Sequence, residues 1–153
     1  MKIRKAQIKD VPTIHKLLQY YSDKGELLGR AVSKLYDHLR DFSVYENEGG
    51  EVAACCALSI CWKDLAEIRS LAVSPELTRR GIGTHLTNNA IEEAVGFGVE
   101  EIFTLTYRPA FFERFGFTVI PRSDLPIKIW GDCLHCVKYP DCDEIAMLKR
   151  LSS

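Results

Sequence analysis

No apolar run in this chain approaches the roughly 20 residues that a helix needs to cross a bilayer, which removes a helical membrane protein from consideration. An excess of either charge is also missing. Lys and Arg total 20 against 21 Asp and Glu, a net charge of −1, so nothing general draws the chain to nucleic acid. Repeats, low-complexity tracts and linkers are absent, and residues 1–153 are expected to form one domain. The opening Met1-Lys2-Ile3-Arg4-Lys5 runs into polar sequence instead of the apolar core of a signal peptide, so a cytoplasmic protein is expected.

What remains is ordinary globular composition, 46% apolar and 27% charged, with enough length to bury a substantial core. Six cysteines are present, and a cytoplasm keeps thiols reduced. Cys55, Cys56 and Cys61 fall in the apolar run Val52–Trp62 and read as small core residues. Cys133, Cys136 and Cys142 form a Cys-x2-Cys-x5-Cys pattern in a polar tail. The tight pair suits a structural metal knuckle with His135 or Asp141 as a fourth ligand, but reduced thiols without metal are the preferred reading.

Periodicity predicts the elements. Lys2–Gln7 alternates as a strand; Asp10 is placed to cap a helix whose apolar stripe is Val11, Ile14, Leu17, Leu18 and Tyr21, ended by Lys24-Gly25. A second helix is predicted from Ser33 to Arg40. Phe42–Glu46 and Glu51–Trp62 read as strands joined at Asn47-Glu48-Gly49-Gly50, and Leu65–Val73 as a third. Ile82–Phe97 is amphipathic, with Leu86, Ala90, Ile91, Ala94 and Val95 on the predicted buried side. A strand Glu101–Thr106, a short helix Pro109–Phe115, a strand Phe117–Ile120 and a final strand Glu144–Arg150 complete the order.

The stretch from Leu65 to Leu86 carries the chemistry. A strand ends in a polar loop, and Arg79-Arg80-Gly81-Ile82-Gly83-Thr84 opens a helix. First-turn amides lack intrahelical partners and the helix dipole favours an anion there, so a pyrophosphate suits this point. A Walker A loop is excluded because no lysine follows the glycines, and a dinucleotide fingerprint because Gly81-Ile82-Gly83 lacks a third glycine. With its flanking strand and helix, the loop resembles the acetyl-CoA loop of the Gcn5-related N-acetyltransferases (GNAT); Thr78 departs from the Gln or Arg usual there. The resemblance implies an α/β GNAT fold, a mixed and splayed sheet with helices on both faces, and acetyl-CoA as co-substrate. It also implies cofactor contacts at Leu71, Ala72, Val73, Arg79, Arg80, Gly81, Ile82, Gly83, Thr84 and Phe112. A backbone N–H at Leu71–Val73 would serve as oxyanion donor. Glu67 would be the base that takes the acceptor's proton; the competing reading is that it pairs with Arg69, two residues along the same strand face. Phe112 stands where many such enzymes have a tyrosine acid, and Phe112 cannot donate a proton.

Leu105-Thr106-Tyr107-Arg108 followed by Phe111-Phe112-Glu113-Arg114-Phe115-Gly116-Phe117 is similar to the acetyltransferase domain of N-acetylglutamate synthases. Gly25–Arg30 and Lys128–Cys133 resemble the short, stand-alone branch of that group. Transfer to the α-amine of glutamate, opening arginine biosynthesis, is what this resemblance implies. Glutamate offers two carboxylates, and the planar arginine fork binds each with two hydrogen bonds. Arg30 and Arg108 match acceptor-binding positions, with Arg69 a third cation; solvated surface arginines are the plainer alternative. Glutamine, another small amine or a protein N-terminus stay open as acceptors, as does an acetyl-CoA-binding module without turnover. Family habit suggests a homodimer. No membrane or nucleic-acid partner is expected.

Overall fold

The computed structural model describes residues 2–27, 29–125 and 144–151. The three tail cysteines, Lys128–Cys133 and Leu28 therefore lie outside the described residues. Seven strands form one sheet in the order β1-β2-β3-β4-β5-β7-β6. They are β1 (Lys2–Lys5), β2 (Phe42–Glu46), β3 (Val52–Trp62), β4 (Leu65–Val73), β5 (Glu101–Thr106), β6 (Thr118–Val119) and β7 (Ile145–Arg150). The helices are α1 (Val11–Asp23), α2 (Val32–Asp37), α3 (Ile82–Phe97) and α4 (Pro109–Glu113). All strand pairs are antiparallel except β4 and β5, which makes the sheet mixed.

Helices cover both faces. On one, Val11, Ile14, Leu18 and Leu35 of α1 and α2 pack on Phe42, Val44, Cys55 and Ala57. On the other, Ile82, Leu86, Ala90 and Ala94 of α3 pack on Ala54, Cys56, Leu58 and Ile68. Leu18 and Ile68 are fully buried, each contributing about 1.5–3 kcal/mol of transfer free energy.

Three local expectations need correction. Asp10 does not cap α1 with its side chain. Its carboxylate instead accepts the Gln7 N–H at 2.7 Å and two bonds from Arg4 at 2.8 and 3.1 Å, because a 3-10 turn, Ile8–Asp10, precedes the helix. The second helix stops at Asp37, and Leu39–Asp41 form a 3-10 turn before β2. Val95, placed on the buried side of α3, is 57% exposed, since it lies one residue round the helix from the stripe Leu86-Ala90-Ala94.

Strand β4 departs from regular pairing in two places. Its pairing with β5 covers only Leu65, Ala66 and Glu67, so beyond Glu67 the two parallel strands diverge. At the apex, Thr104 Oγ1 donates to the Ile68 carbonyl at 2.8 Å, supplying by side chain the bond that the ladder no longer makes. A β-bulge then falls between Arg69 and Ala72 opposite Cys56, with Ser70 in the left-handed region at φ 57°. The extra residue reverses the alternation: Ile68 faces the α3 core, whereas Ala72 joins the α1 core and Leu71 and Val73 turn toward α3.

Candidate active site

The divergence of β4 and β5 opens a cleft of about 640 Å³. Its walls are β4 from Ile68 to Val73, the loop and first turn of α3, the end of β5, α4, and the end of α1. The loop is shaped by backbone. Arg79 has φ 69° and Gly81 φ 80°, both left-handed, so the chain turns tightly into α3. No side chain caps this helix, and its first intrahelical bond runs from His85 N–H to Gly81 O at 3.0 Å. The amides of Ile82, Gly83 and Thr84 therefore have no intrahelical acceptor, and all three residues line the cleft. Thr78, the departure in the loop, also lines it and turns its hydroxyl back onto Pro75 O at 3.1 Å.

Cations flank these amides. Arg79 and Arg114 line the cleft, and Arg114 Nη2 donates to Thr84 Oγ1 at 3.4 Å while its guanidinium lies over Phe111 and Phe115. Sequence reasoning does not single out Arg114, although it stands within the segment Phe111–Phe117 that carries the resemblance. Arg80 is exposed and is not among the residues lining the cleft. An amide row on a helix dipole, two arginines and an open strand edge together fit a long pyrophosphate-bearing ligand with an extended arm. Leu71, Ala72 and Val73, beyond the last β5 pairing, form that edge, and Phe112 is a buried wall packed edge-on against Phe117.

The opposite end is charged. Arg69 and Arg108 both line the cleft. Arg69 Nη1 lies 3.5 Å from Glu67 Oε1, so the expected same-face pair exists. Glu67 itself is mostly buried where β4 still pairs with β5, and is not among the lining residues. Arg108 Nη2 donates to Glu26 Oε2 at 3.1 Å, an exposed pair joining the β5–α4 junction to the end of α1. Arg30 is not among the residues lining the cleft, and its guanidinium lies 5.8 Å from the Phe42 ring. Two further lining residues are not site candidates from sequence. Glu26 follows the helix-ending glycine, and Tyr21 reads only as part of the apolar stripe. The Tyr21 hydroxyl donates to Val73 O at 2.5 Å. Burial pushes its pKa up, helped by Tyr20 and Glu26 and opposed by Arg108, so it stays protonated as a donor.

The family known as acetyltransferase (GNAT) matches residues 11–117. The chain belongs to this family. It is an acetyl-CoA-dependent N-acetyltransferase. An uncharacterized N-acetyltransferase of Chlorobaculum tepidum is 41% identical over 149 residues, covering 97% of this chain and 96% of that protein. An amino-acid acetyltransferase of Mycobacterium tuberculosis is 34% identical over 132 residues, 85% of this chain and 75% of that one. The N-acetylglutamate synthase of Neisseria gonorrhoeae, crystallised with coenzyme A and N-acetyl-glutamate, superposes with a TM-score of 0.89 at 29% identity. That alignment covers 99% of this acetyltransferase but 35% of the longer synthase. Among the described residues no helix is long and apolar enough to cross a membrane, and no group of three or more His, Cys, Asp or Glu is gathered to hold a metal ion.

Proposed function

We propose that this acetyltransferase moves the acetyl group of acetyl-CoA to the α-amine of L-glutamate, the opening step of arginine biosynthesis. The observation that carries the reading is the placement of two guanidiniums, Arg69 and Arg108, in the same cleft as the phosphate-binding loop. Glutamate presents two carboxylates, and each guanidinium offers a planar fork for one. Relatives named amino-acid acetyltransferase and a synthase neighbour holding N-acetyl-glutamate support it.

In this reading Arg79, Arg114 and the amides from Gly81 to Thr84 hold the pyrophosphate, with Arg80 outside the cleft wall. Backbone N–H groups at Leu71–Val73 receive the carbonyl oxygen as it gains charge, a contribution worth a few kcal/mol of barrier for one fixed donor, about 2.7–4 in measured cases. Glu67, next to the apex of the opening, takes the amine's proton through water. The amine nitrogen bonds to the acetyl carbon to give a tetrahedral intermediate, the carbon–sulfur bond then breaks, and the thiolate leaves with the second proton lost by the nitrogen, relayed through water, since Phe112 has no proton to give.

A second acceptor, glutamine, is favoured by one observation: both guanidiniums already carry a carboxylate, Glu67 on Arg69 and Glu26 on Arg108, which leaves less free positive charge for a second substrate carboxylate. Free-thiol release from acetyl-CoA, with glutamate and glutamine side by side among the common amino acids, separates the two. Preference for glutamate, lost in Arg108→Ala with CoA affinity intact, supports the proposal. Equal or better turnover of glutamine removes the second clamp. No thiol release with any amino acid refutes an amino-acid acceptor.

A further inference from the structure

Arg108 already has a carboxylate on it. Glu26 Oε2 lies 3.1 Å from its Nη2 although the residues are 82 apart in sequence. Glu26 is held there by backbone. Gly25, at φ 72°, ends α1 in the left-handed conformation, its N–H donates to Ser22 O at 3.0 Å, and the Glu26 N–H donates to Tyr21 O at 3.0 Å. These are the two bonds of a glycine-terminated helix end, and they fix the residue after the glycine. The Tyr21 hydroxyl then ties the same helix end to Val73 at the open end of β4. An exposed ion pair adds little to stability, so stability alone does not explain a carboxylate built into this wall.

We infer that Glu26 is the ligand for the acceptor's α-ammonium and makes the site specific for a zwitterionic α-amino acid. The inference rests on the proposed amino-acid acceptor. Glutamate carries two carboxylates and one ammonium; the acceptor end of the cleft presents Arg69, Arg108 and Glu26. Glu26 uses one edge of Arg108, and the guanidinium has further N–H donors for a substrate carboxylate. A carboxylate bound on those donors sits beside Glu26, and the α-ammonium, one carbon away, meets the Glu26 oxygens. Glu26 binds and orients the amine; the proton itself goes to Glu67. A peptide N-terminus lacks the neighbouring carboxylate and fills only half of this arrangement.

Calorimetry on the CoA-bound full chain tests it, comparing glutamate with glutarate, which has both carboxylates and no amine. Glu26→Gln should weaken glutamate about tenfold or more, the worth of one charged hydrogen bond, and should tighten glutarate by removing a repelling charge. A side chain with a purely structural role would shift both ligands alike. Tightening of both ligands would mean that Glu26 only competes for Arg108, and overturns the inference. So does no change in either, or the same crossover in Glu144→Gln, the other carboxylate lining the cleft. The Glu26 side chain is 39% exposed, so its substitution leaves the core intact, and a melting curve checks this. If the wild type acetylates a different amino acid, the glutamate reading fails alone, and the comparison is repeated with that amino acid and its deaminated analogue. If it acetylates no free amino acid, both readings fall.

Discussion

Gly81 and Gly83 sit two residues apart in the loop proposed to hold phosphate and should respond to alanine in opposite ways. Gly81 has φ 80° and ψ 4°, and a Cβ built there meets nothing within 4 Å. Its substitution is therefore limited by conformation and not by space. Holding alanine in the left-handed region costs roughly 1–2 kcal/mol, which for a chain of 153 residues lowers the melting temperature by roughly 2–8 °C. Gly83 lies inside the first turn of α3, and its Cβ would stand 3.6 Å from Phe111 Cζ and 3.8 Å from Val73 Cγ2, ordinary contact distances. Alanine there improves helix propensity by up to about 1 kcal/mol, so Gly83→Ala should melt at or above the wild type. In the proposed site the same methyl stands beside the amides that would meet phosphate, and the loss of one charge-assisted bond predicts CoA binding weaker by roughly tenfold. Thermal denaturation and CoA titration of the two variants check both signs. Wild-type melting in Gly81→Ala, or a lower melting temperature in Gly83→Ala than in Gly81→Ala, would refute the assignment of strain to the first position and of closeness to ligand to the second.

Glu67→Gln should lower kcat by about 10² with CoA affinity unchanged, as expected on losing a general base; unchanged kcat with a raised acceptor KM would reduce Glu67 to a holder of Arg69. The Asp10 carboxyl is held below the usual carboxylate range first by the Arg4 bonds, against the opposing effect of burial, with help from the Gln7 N–H. A depressed folded value stabilises the protein above about pH 4, and that stability is lost as pH falls through the depressed value. Asp10→Asn should therefore be less stable by roughly 2–3 kcal/mol at neutral pH and show a shallower acid decline in urea melts at pH 7 and pH 3; parallel declines would count against it. Burial pushes the Cys56 thiol up to about 12 and the Cys55 thiol higher still. Peptide mapping after iodoacetamide treatment of the native protein should find both unmodified, and rapid labelling would show that this strand opens.

Most elements are legible in the sequence because their signals are local. The stripe of α1, the Asn47–Gly50 hairpin and the glycine-led start of α3 each follow from residues within a turn or two of one another. The loop is legible for the same reason, since its amides, its glycines and its helix are contiguous. What escapes needs two distant segments at once. Nothing in Glu26 or Arg108 alone announces a 3.1 Å pair across the cleft. Alternation along Leu65–Val73 gives no hint that Ser70 is bulged, because the register is set against β3. Glu67 can be picked out from its strand, but whether it borders the cavity depends on where β5 leaves β4, a property of both strands.

The geometry of the wall is itself informative about why the fold tolerates an opening there. Among the described residues only Ser70 and Arg79 adopt positive φ without being glycine, and both line the cleft. Each such conformation costs on the order of 1 kcal/mol or more and persists only where surrounding structure holds it. Thr104, almost fully buried, spends its hydroxyl on the Ile68 carbonyl at the point of divergence. A continuous β4–β5 ladder would have paired the backbone groups of Ile68–Val73 that face away from β3, without that side-chain substitute. The sheet gives up that pairing on one edge only, and the edge faces the loop whose amides are also unpaired. Unpaired strand groups and unpaired helix amides on one cavity are costly unless a ligand with acceptors, donors and charge along its length completes both. Acetyl-CoA has that character, with amides along its arm and a pyrophosphate beyond them, which is the physical argument for the site proposed above.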